Sequence, residues 1–344
     1  MTLLSNTIAS MHLRLMQGYR EAEDHPLARL IGYQPNPRQD PFMFWQTIET
    51  CRDVYGNCYA FKVPGAGGET VALDILDPQQ VHPLRDAASG DIWYQITPRE
   101  GGTLYVGGRE MIHCRHVGAG DWGVNPLTVL EDTLAYDDQM KSFSLEQARG
   151  INGAVVLDFP SNMGKEQTEK VIDAFMDKRS SGSLIVLNGG VKSSTINRSP
   201  VDAKVLDVDR ITANKVARVY NIPPSLLGDY SSSSYASQEQ QQMEYLERTI
   251  IPICRMYEAQ LNLKLLTWEQ RRQGYRFSFD VSDLVVADQA SRAQVYQYMI
   301  RSGIMTQNEV RRRENLPPDP HGDQLLVSRD LVPLQMLNQL PITR

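Results

Sequence analysis

Between Asn221 and Leu246 the chain closes one helix at a double proline, crosses a short polar stretch and opens a much longer helix. The run is Asn-Ile-Pro-Pro-Ser-Leu-Leu-Gly-Asp, then Tyr-Ser-Ser-Ser-Ser-Tyr-Ala-Ser, then Gln-Glu-Gln-Gln-Gln-Met-Glu-Tyr-Leu. Proline has no N–H to give and its ring collides with the preceding turn, so the first helix must stop. A loop this polar, held between two strong helices, is displayed rather than packed. Ser237 and Gln240 form a capping-box pattern for the second helix. Met243, Leu246, Ile250, Ile253, Tyr257 and Leu261 line one apolar face of it down to Leu266. About 30 helical residues reach roughly 45 Å, and Pro252 predicts a kink within that length.

The rest of the chain alternates helix and strand, which gives an α+β fold. Helix passing into strand is expected over 2–16, then a short helix from Asp24-His25-Pro26-Leu27 to about Ile31. Pro41 to Tyr55 reads as helix, with Phe44, Trp45, Ile48, Cys51 and Tyr55 near helical spacing. Strands fit Cys58–Val63, Val71–Leu76, Ile92–Ile96, Gly102–Val106 and Met111–Arg115, joined by glycine-rich turns. Asn125 caps a long helix that Pro126 begins and that runs to about Gly150. A small αβ insert follows: strand 154–159, helix 165–178, strands 183–187 and 191–197 about an Asn188-Gly-Gly turn. A second helix runs from Ser199-Pro200 to Asn221, so the insert lies between two helices. After the long helix, a strand from Tyr275 to Val281 is expected to return to the first sheet. Helices over 287–301 and from a Thr306/Glu309 capping box to about Asn315 precede a loop-like tail.

At 344 residues the chain has room for two or three domains. A net charge of −6 argues against grip on nucleic acid through a broadly basic surface, though it allows a protein that lets DNA pass. No run approaches the ~18 apolar residues of a membrane span, and the expectation is a soluble intracellular chain without a membrane role. Thr2 begins abruptly as helix with no cap before it, which predicts that an N-terminal piece is missing or trimmed.

Candidate chemistry is sparse. Cys51, Cys58, Cys114 and Cys254 lack CxxC spacing and read as buried free thiols. Gly65-Ala-Gly-Gly has the glycines of a phosphate loop, but no Gly-Lys-Ser/Thr follows and its flanks are strands, so it is a hairpin turn. His113 and His116 make the most metal-like cluster, yet on a strand they project to opposite faces with no carboxylate or thiol group beside them. Asp137 and Asp138 are adjacent on a helix, where side chains diverge. Serines 231–234 lack the strained setting of a hydrolase nucleophile and could equally be a flexible linker. Arg311-Arg312-Arg313 fans around a helix as a solvated face. No catalytic residues, cofactor site or metal site survive, and the expectation is a non-enzyme with a structural or interacting role.

Taken in order, the segments resemble the portal proteins of tailed bacteriophages, in the long-tailed phage portal family. The resemblance runs from about Leu3 to about Asp330. It is carried by His25-Pro26-Leu27 with Pro35-Asn36-Pro37, Tyr55-Gly-Asn-Cys-Tyr-Ala60, Ile112-His-Cys-Arg-His116 and Gly123-Val-Asn-Pro-Leu127. Further pieces are Ser183 to Val191, Val216-Ala-Arg-Val-Tyr-Asn-Ile-Pro-Pro-Ser-Leu-Leu-Gly228, Tyr235-Ala-Ser-Gln-Glu-Gln240 and Ile251-Pro252. Met305-Thr-Gln-Asn-Glu-Val-Arg311 with Leu316-Pro-Pro completes the series.

The resemblance implies a portal-like subunit with an α/β wing, helical stem, small αβ clip, long kinked helix and short helical crown. It places the wing at 1–124 with the strand 275–281, stem helices at 125–150 and 199–221, and the clip at 151–198. The tunnel loop is 222–236, the long wing helix 237–266 and the crown 285–344. It implies a homo-oligomeric ring of twelve subunits at one capsid vertex, in the virion and, during assembly, in the host cytoplasm. Double-stranded DNA would pass through the channel, touched by Asp229, Tyr230, Ser231, Ser232, Ser233, Ser234 and Tyr235. Partners would be the terminase large subunit, the capsid protein and the head–tail connector, with no cofactor. DNA carries one negative charge per ~1.7 Å, so tight phosphate binding would stall movement, whereas hydroxyl donors touch lightly. The charge of −6, repeated around a ring, favours an acidic lumen. The competing readings are a monomeric adaptor and a metal-dependent nucleic-acid-processing enzyme using Asp137, Asp138 or His113/His116.

Overall fold

The computed structural model describes residues 1–118, 120–148, 154–158, 164–180, 192–196, 202–227, 235–281, 289–314 and 316–326. They divide into two units, Met1–Val281 and Ser282–Arg344. The first begins with α1 (Thr2–Ser10), the hairpin β1 (Leu13–Gln17) and β2 (Arg20–Glu21), and α2 (Pro26–Gly32). His25 caps α2 by accepting the Leu27 N–H on Nδ1 at 3.1 Å. α3 (Pro41–Tyr55) starts where Asp40 accepts the Met43 N–H at 2.7 Å and ends at Gly56 in the left-handed region.

Next come β3 (Asn57–Pro64), β4 (Thr70–Leu76), β5 (Val81–Arg85), β6 (Ile92–Ile96), β7 (Leu104–Gly107) and β8 (Met111–Arg115). They form two antiparallel sheets, ordered β4-β3-β8 and β5-β6-β7. Gly65-Ala-Gly-Gly is the β3–β4 turn, as its flanking alternation predicts. β5 is absent from the sequence reading because Pro83 interrupts it. Pairing only with β6, β5 is an edge strand, where a missing N–H is tolerated.

Strand alternation gives β3 and β8 two buried faces. Cys58, Ala60, Ile112 and Cys114 meet Phe44, Trp45 and Ile48 of α3, together with Tyr257 and Leu261 from the later helix α8 (Ile251–Lys264). Tyr59 and Met111 face the other way, into a cluster with Val81, Tyr94 and Ile96 of the second sheet. β11 (Tyr275–Phe279) pairs antiparallel with β1, Leu13 opposite Phe279, which is the expected return of the chain. Trp45 packs edge-on against Phe44, Tyr257 and Phe279 at 5.3–5.5 Å, and such pairs add about 0.5–1.5 kcal/mol each beyond area burial. Cys58, Cys114 and Cys254 are buried free thiols, as their spacing predicts, whereas Cys51 is free but only half-buried.

The inward stripe of α3 departs from expectation. Phe44, Trp45 and Ile48 are buried, but Cys51 and Tyr55 are only partly so, and the stripe continues through Glu49, Arg52 and Asp53.

α4 (Pro126–Ala148), β9 (Ala154–Asp158), α5 (Lys165–Ser180), β10 (Lys192–Ile196) and α6 (Asp202–Val219) follow. β9 pairs antiparallel with β10, Ala154 opposite Ile196, so strands flank α5 as expected. The predicted strand 183–187 and its Asn188 turn lie outside the described residues. The long helix is α7 (Tyr235–Tyr245), a π turn over Leu246–Ile250, then α8. Ser237 therefore lies inside α7 rather than capping it; serines just upstream are equally good caps by type. Pro252, where a kink is expected, lies in the first turn of α8, and a π turn immediately precedes it. One extra residue per turn rotates the helix face by about 100°. Hence Met243 is 56% exposed, while Tyr245, Thr249, Ile250, Cys254, Tyr257 and Leu261 are buried. α9 (Trp268–Arg272), absent from the sequence reading, starts at a capping box of Thr267 and Gln270.

The second unit contains α10 (Gln289–Arg301) and α11 (Gln307–Arg313). The predicted Thr306/Glu309 capping box is present. Asn308 organises the following turn, accepting the Asp319 N–H at 2.7 Å and donating to Asp319 O and Asp323 Oδ1 at 2.9 Å.

Candidate functional site

Of the loop residues singled out by sequence, Asp229, Tyr230, Ser231, Ser232, Ser233 and Ser234 lie outside the described residues, and Tyr235 opens α7. What is described is the foot of that loop. α6 ends at Val219, and Asn221, in the turn just beyond it, adopts φ 54°. The Asn221 N–H donates to Arg218 O at 3.2 Å and the Ile222 N–H to Ala217 O at 2.8 Å, a left-handed helix stop. Pro224–Leu227 makes one 3-10 turn beyond it. Asn221 Nδ2 donates to Arg248 O at 2.9 Å, and Thr249 Oγ1 donates to Asn221 O.

α4 and α6 pack against one another. Asn125 caps α4 by accepting the Leu127 N–H at 2.9 Å, as its sequence predicts. A narrow stripe of α4 is buried, through Pro126, Leu130 and Asp137. Lys215 of α6 donates to Thr133 Oγ1 beside it, and Asp137 pairs with Lys141. At about 100° per residue, Leu134 and Leu145 flank the stripe on one side, and Val129 and Tyr136 on the other. These four are 43%, 58%, 62% and 52% exposed. The remaining face is polar and acidic, with Thr128, Glu131, Asp132, Asp138 and Gln139 exposed.

Beneath this pair lies a polar knot. Arg52 Nε and Nη2 donate to Glu49 Oε2 and Oε1 at 2.9 and 2.6 Å, and Nη2 also reaches Asp53 Oδ1 at 3.1 Å. Tyr257 OH of α8 donates to Glu49 Oε2 at 2.6 Å, and Tyr220 OH at the end of α6 donates to Asp53 O at 2.9 Å. Two buried carboxylates face one guanidinium. Burial, then the charge of Glu49, raises the Asp53 pKa, so that this carboxyl tends to keep a proton.

A second knot fixes the segment entering α4. Asn57 Oδ1 accepts the Gly123 N–H at 2.8 Å, and Asn57 Nδ2 donates to Gly123 O at 3.1 Å. His113 Nε2 lies 3.0 Å from the same Asn57 Oδ1, and His113 Nδ1 lies 3.1 Å from Tyr94 OH. Since Oδ1 only accepts, Nε2 carries the proton and Nδ1 receives the Tyr94 hydroxyl. Burial, with Arg115 and Lys264 adding to it, pushes the His113 pKa down to about 4. An unfolded histidine takes up a proton near pH 6.5, but the folded one resists until about 4. Stability is therefore lost as pH falls through that window, by up to about 3 kcal/mol. Chemical denaturation at pH 7 and 4.5 is expected to show this loss in the native protein and a shallower one in His113→Gln. Equal pH slopes in the two proteins would refute it.

These placements separate the residues proposed for metal chemistry. His113 points into the Tyr59–Tyr94 side of the sheet, whereas the His116 ring faces Tyr220 at 6.4 Å. Asp137 is in the α4–α6 seam and Asp138 on the exposed face of α4. Among the described residues, no group of three or more His, Cys, Asp or Glu side chains could hold a metal ion. Arg311 to Arg313 do fan around α11, with Arg311 Nε donating to Pro317 O at 2.7 Å. Sequence reasoning missed both polar knots; Glu49-Thr-Cys-Arg-Asp53 has the composition of a solvated helix face.

Comparison with known proteins agrees with this architecture. The portal protein of Enterobacteria phage HK97 is 26% identical over 321 residues, covering 90% of this chain and 74% of that protein. Among solved structures, an HK97-family phage portal protein from Corynebacterium diphtheriae superposes with a TM-score of 0.63 at 14% identity, covering 83% of this chain and 92% of that one. The neck of a native gene transfer agent particle, computed with C12 symmetry, gives a TM-score of 0.59 at 20% identity, covering 92% and 88%. The model of the phage portal protein family matches residues 1–315, and the chain belongs to that family.

Proposed function

We propose that this protein is the portal subunit of a virus-like particle, forming a ring at one capsid vertex through which double-stranded DNA enters and leaves. The observation that carries the ring is α4, whose buried seam is bordered on both sides by exposed apolar side chains. A subunit with one neighbour would need one such flank. A closed ring of heterologous contacts uses two unlike faces on every subunit. The acidic third face of α4 suits a lumen that repels phosphate rather than gripping it. The C12 symmetry of the similar neck structure supports twelve copies.

In this reading residues 1–124 with 275–281 form the wing, 125–150 and 199–221 the stem, and 151–198 the clip. The loop 222–236 touches DNA through Asp229, Tyr230, Ser231 to Ser234 and Tyr235, 237–266 is the long wing helix and 285–344 the crown. The subunit has no catalysis of its own. Terminase supplies the work and docks at the clip, where the head–tail connector docks later, and capsid protein surrounds the portal at the vertex.

The test is native mass together with DNA retention in assembled particles. The unaltered protein is expected to form closed rings. Val129→Asp with Leu134→Asp is expected to reduce them to monomers, because a charge at each flank must be desolvated on assembly. Deleting 231–234 is expected to leave ring mass unchanged and to lose DNA retention. A monomer under all assembly conditions would refute the ring, and a silent deletion would reassign the loop as a linker.

A further inference from the structure

Asn221 is the one described non-glycine residue with positive φ. Glycine is the commoner residue at such a helix stop, because it has no Cβ to strain. The asparagine adds an amide, and that amide has a specific target. The carbonyl of Arg248 would receive an N–H from residue 252 in an α-helix, and residue 252 is proline. Asn221 Nδ2 donates to this carbonyl at 2.9 Å. The link is returned in the opposite sense by the buried Thr249, whose Oγ1 donates to Asn221 O. Both contacts lie in the π turn Leu246–Ile250, closed by the Ile251 N–H donating to Leu246 O.

We propose that Asn221 is a positioning residue for the DNA-touching excursion. Its side chain supplies the hydrogen bond that Pro252 cannot, and so ties the end of α6 to the π turn. The two hydrogen bonds close the mouth of the chain between 222 and 248, and fix the direction in which α7 leaves α8. Tyr220, one residue earlier, anchors the same corner to α3 through Asp53 O. The proline and the asparagine thus act as a matched pair: restoring an N–H at position 252 would offer Arg248 O a donor of its own. The consequence for DNA rests on the portal reading; the clamp itself does not.

The experiment compares Asn221→Gly, Asn221→Asp and Pro252→Ala by amide hydrogen exchange over 235–252, alongside native mass and DNA retention. Asn221→Gly keeps the backbone conformation and Asn221→Asp keeps the shape, but neither can donate to Arg248 O. Both are expected to keep the native mass and to exchange roughly fivefold faster across 244–252, the worth of one hydrogen bond. In the Pro252→Ala background, Asn221→Gly is expected to add little, since the N–H restored at position 252 can then serve Arg248 O. Assembled Asn221→Gly particles are expected to retain less DNA. Unchanged exchange in both Asn221 variants, or fully additive effects with Pro252→Ala, would overturn the clamp. Faster exchange with undiminished DNA retention would overturn the positioning role. Failure of the unaltered protein to form rings would count against the portal reading instead, leaving the exchange comparison to decide the clamp.

Discussion

Arg52→Ala is expected to destabilise the 1–281 unit by about 3–5 kcal/mol, the range for removing one partner of a buried ion pair. Arg52, Glu49 and Asp53 are all buried, and the guanidinium supplies three hydrogen bonds to the two carboxylates. Truncation leaves two carboxyl groups facing each other at the junction of α3, α8 and the end of α6. The Tyr257 hydroxyl can serve only Glu49.

The loss should also depend on pH. Burial and Glu49 already raise the Asp53 pKa, while Arg52 opposes them. Without Arg52 the folded state binds protons more tightly still than the unfolded chain. The variant therefore recovers stability as pH falls and loses it as pH rises. Urea denaturation at pH 5 and pH 8 checks both the size and the sign. Arg52→Met with Glu49→Leu and Asp53→Asn is expected to recover much of the loss, because replacing a whole buried ionic group by packed side chains can be neutral. A cost below about 1 kcal/mol for Arg52→Ala would mean that water reaches this knot and that it behaves as a surface pair.

Gly56→Ala should be nearly as damaging, for a steric reason. Gly56 adopts φ 75°, where a Cβ is strained, and that Cβ would lie 2.6 Å from Val124 C and 2.8 Å from Asn125 N. These are backbone atoms at the cap of α4, so no side chain can swing aside. The strain and the collision together predict about 3 kcal/mol or more. Gly68→Ala is the control. Its φ is 82°, but nothing lies within 4 Å of the added carbon, so only the conformational penalty of about 1 kcal/mol is expected. Thermal unfolding of the two variants separates the contributions; equal shifts would show that the close approach to Val124 carries no cost. The Gly56 variant should also change the setting of α4 against the sheet, since the segment 123–125 must move.

Much of the element order was legible because its causes are local. Asp40-Pro41, Asn125-Pro126 and Thr306/Glu309 mark helix starts through hydrogen bonds that span only a few residues. The Gly65 turn follows from flanking alternation. Thr267-Trp-Glu-Gln270 carried the same kind of signal and could have revealed α9. β5 was obscured because Pro83 argues against a strand unless the strand is known to lie at an edge. The apolar face of the long helix went out of phase at one place, the π turn, which no fixed helical period anticipates.

Most helix and strand starts, the α+β class and the order of segments that marks the portal family could be read from the amino acids alone. Those properties follow from backbone chemistry among neighbours along the chain. That Glu49, Arg52 and Asp53 form a buried knot, that His113 is held neutral between Tyr94 and Asn57, and that Asn221 meets Arg248 emerged only with the folded arrangement. In each case packing of one element against another sets the surroundings, and a side chain's charge or amide alone does not say whether water or protein will satisfy it.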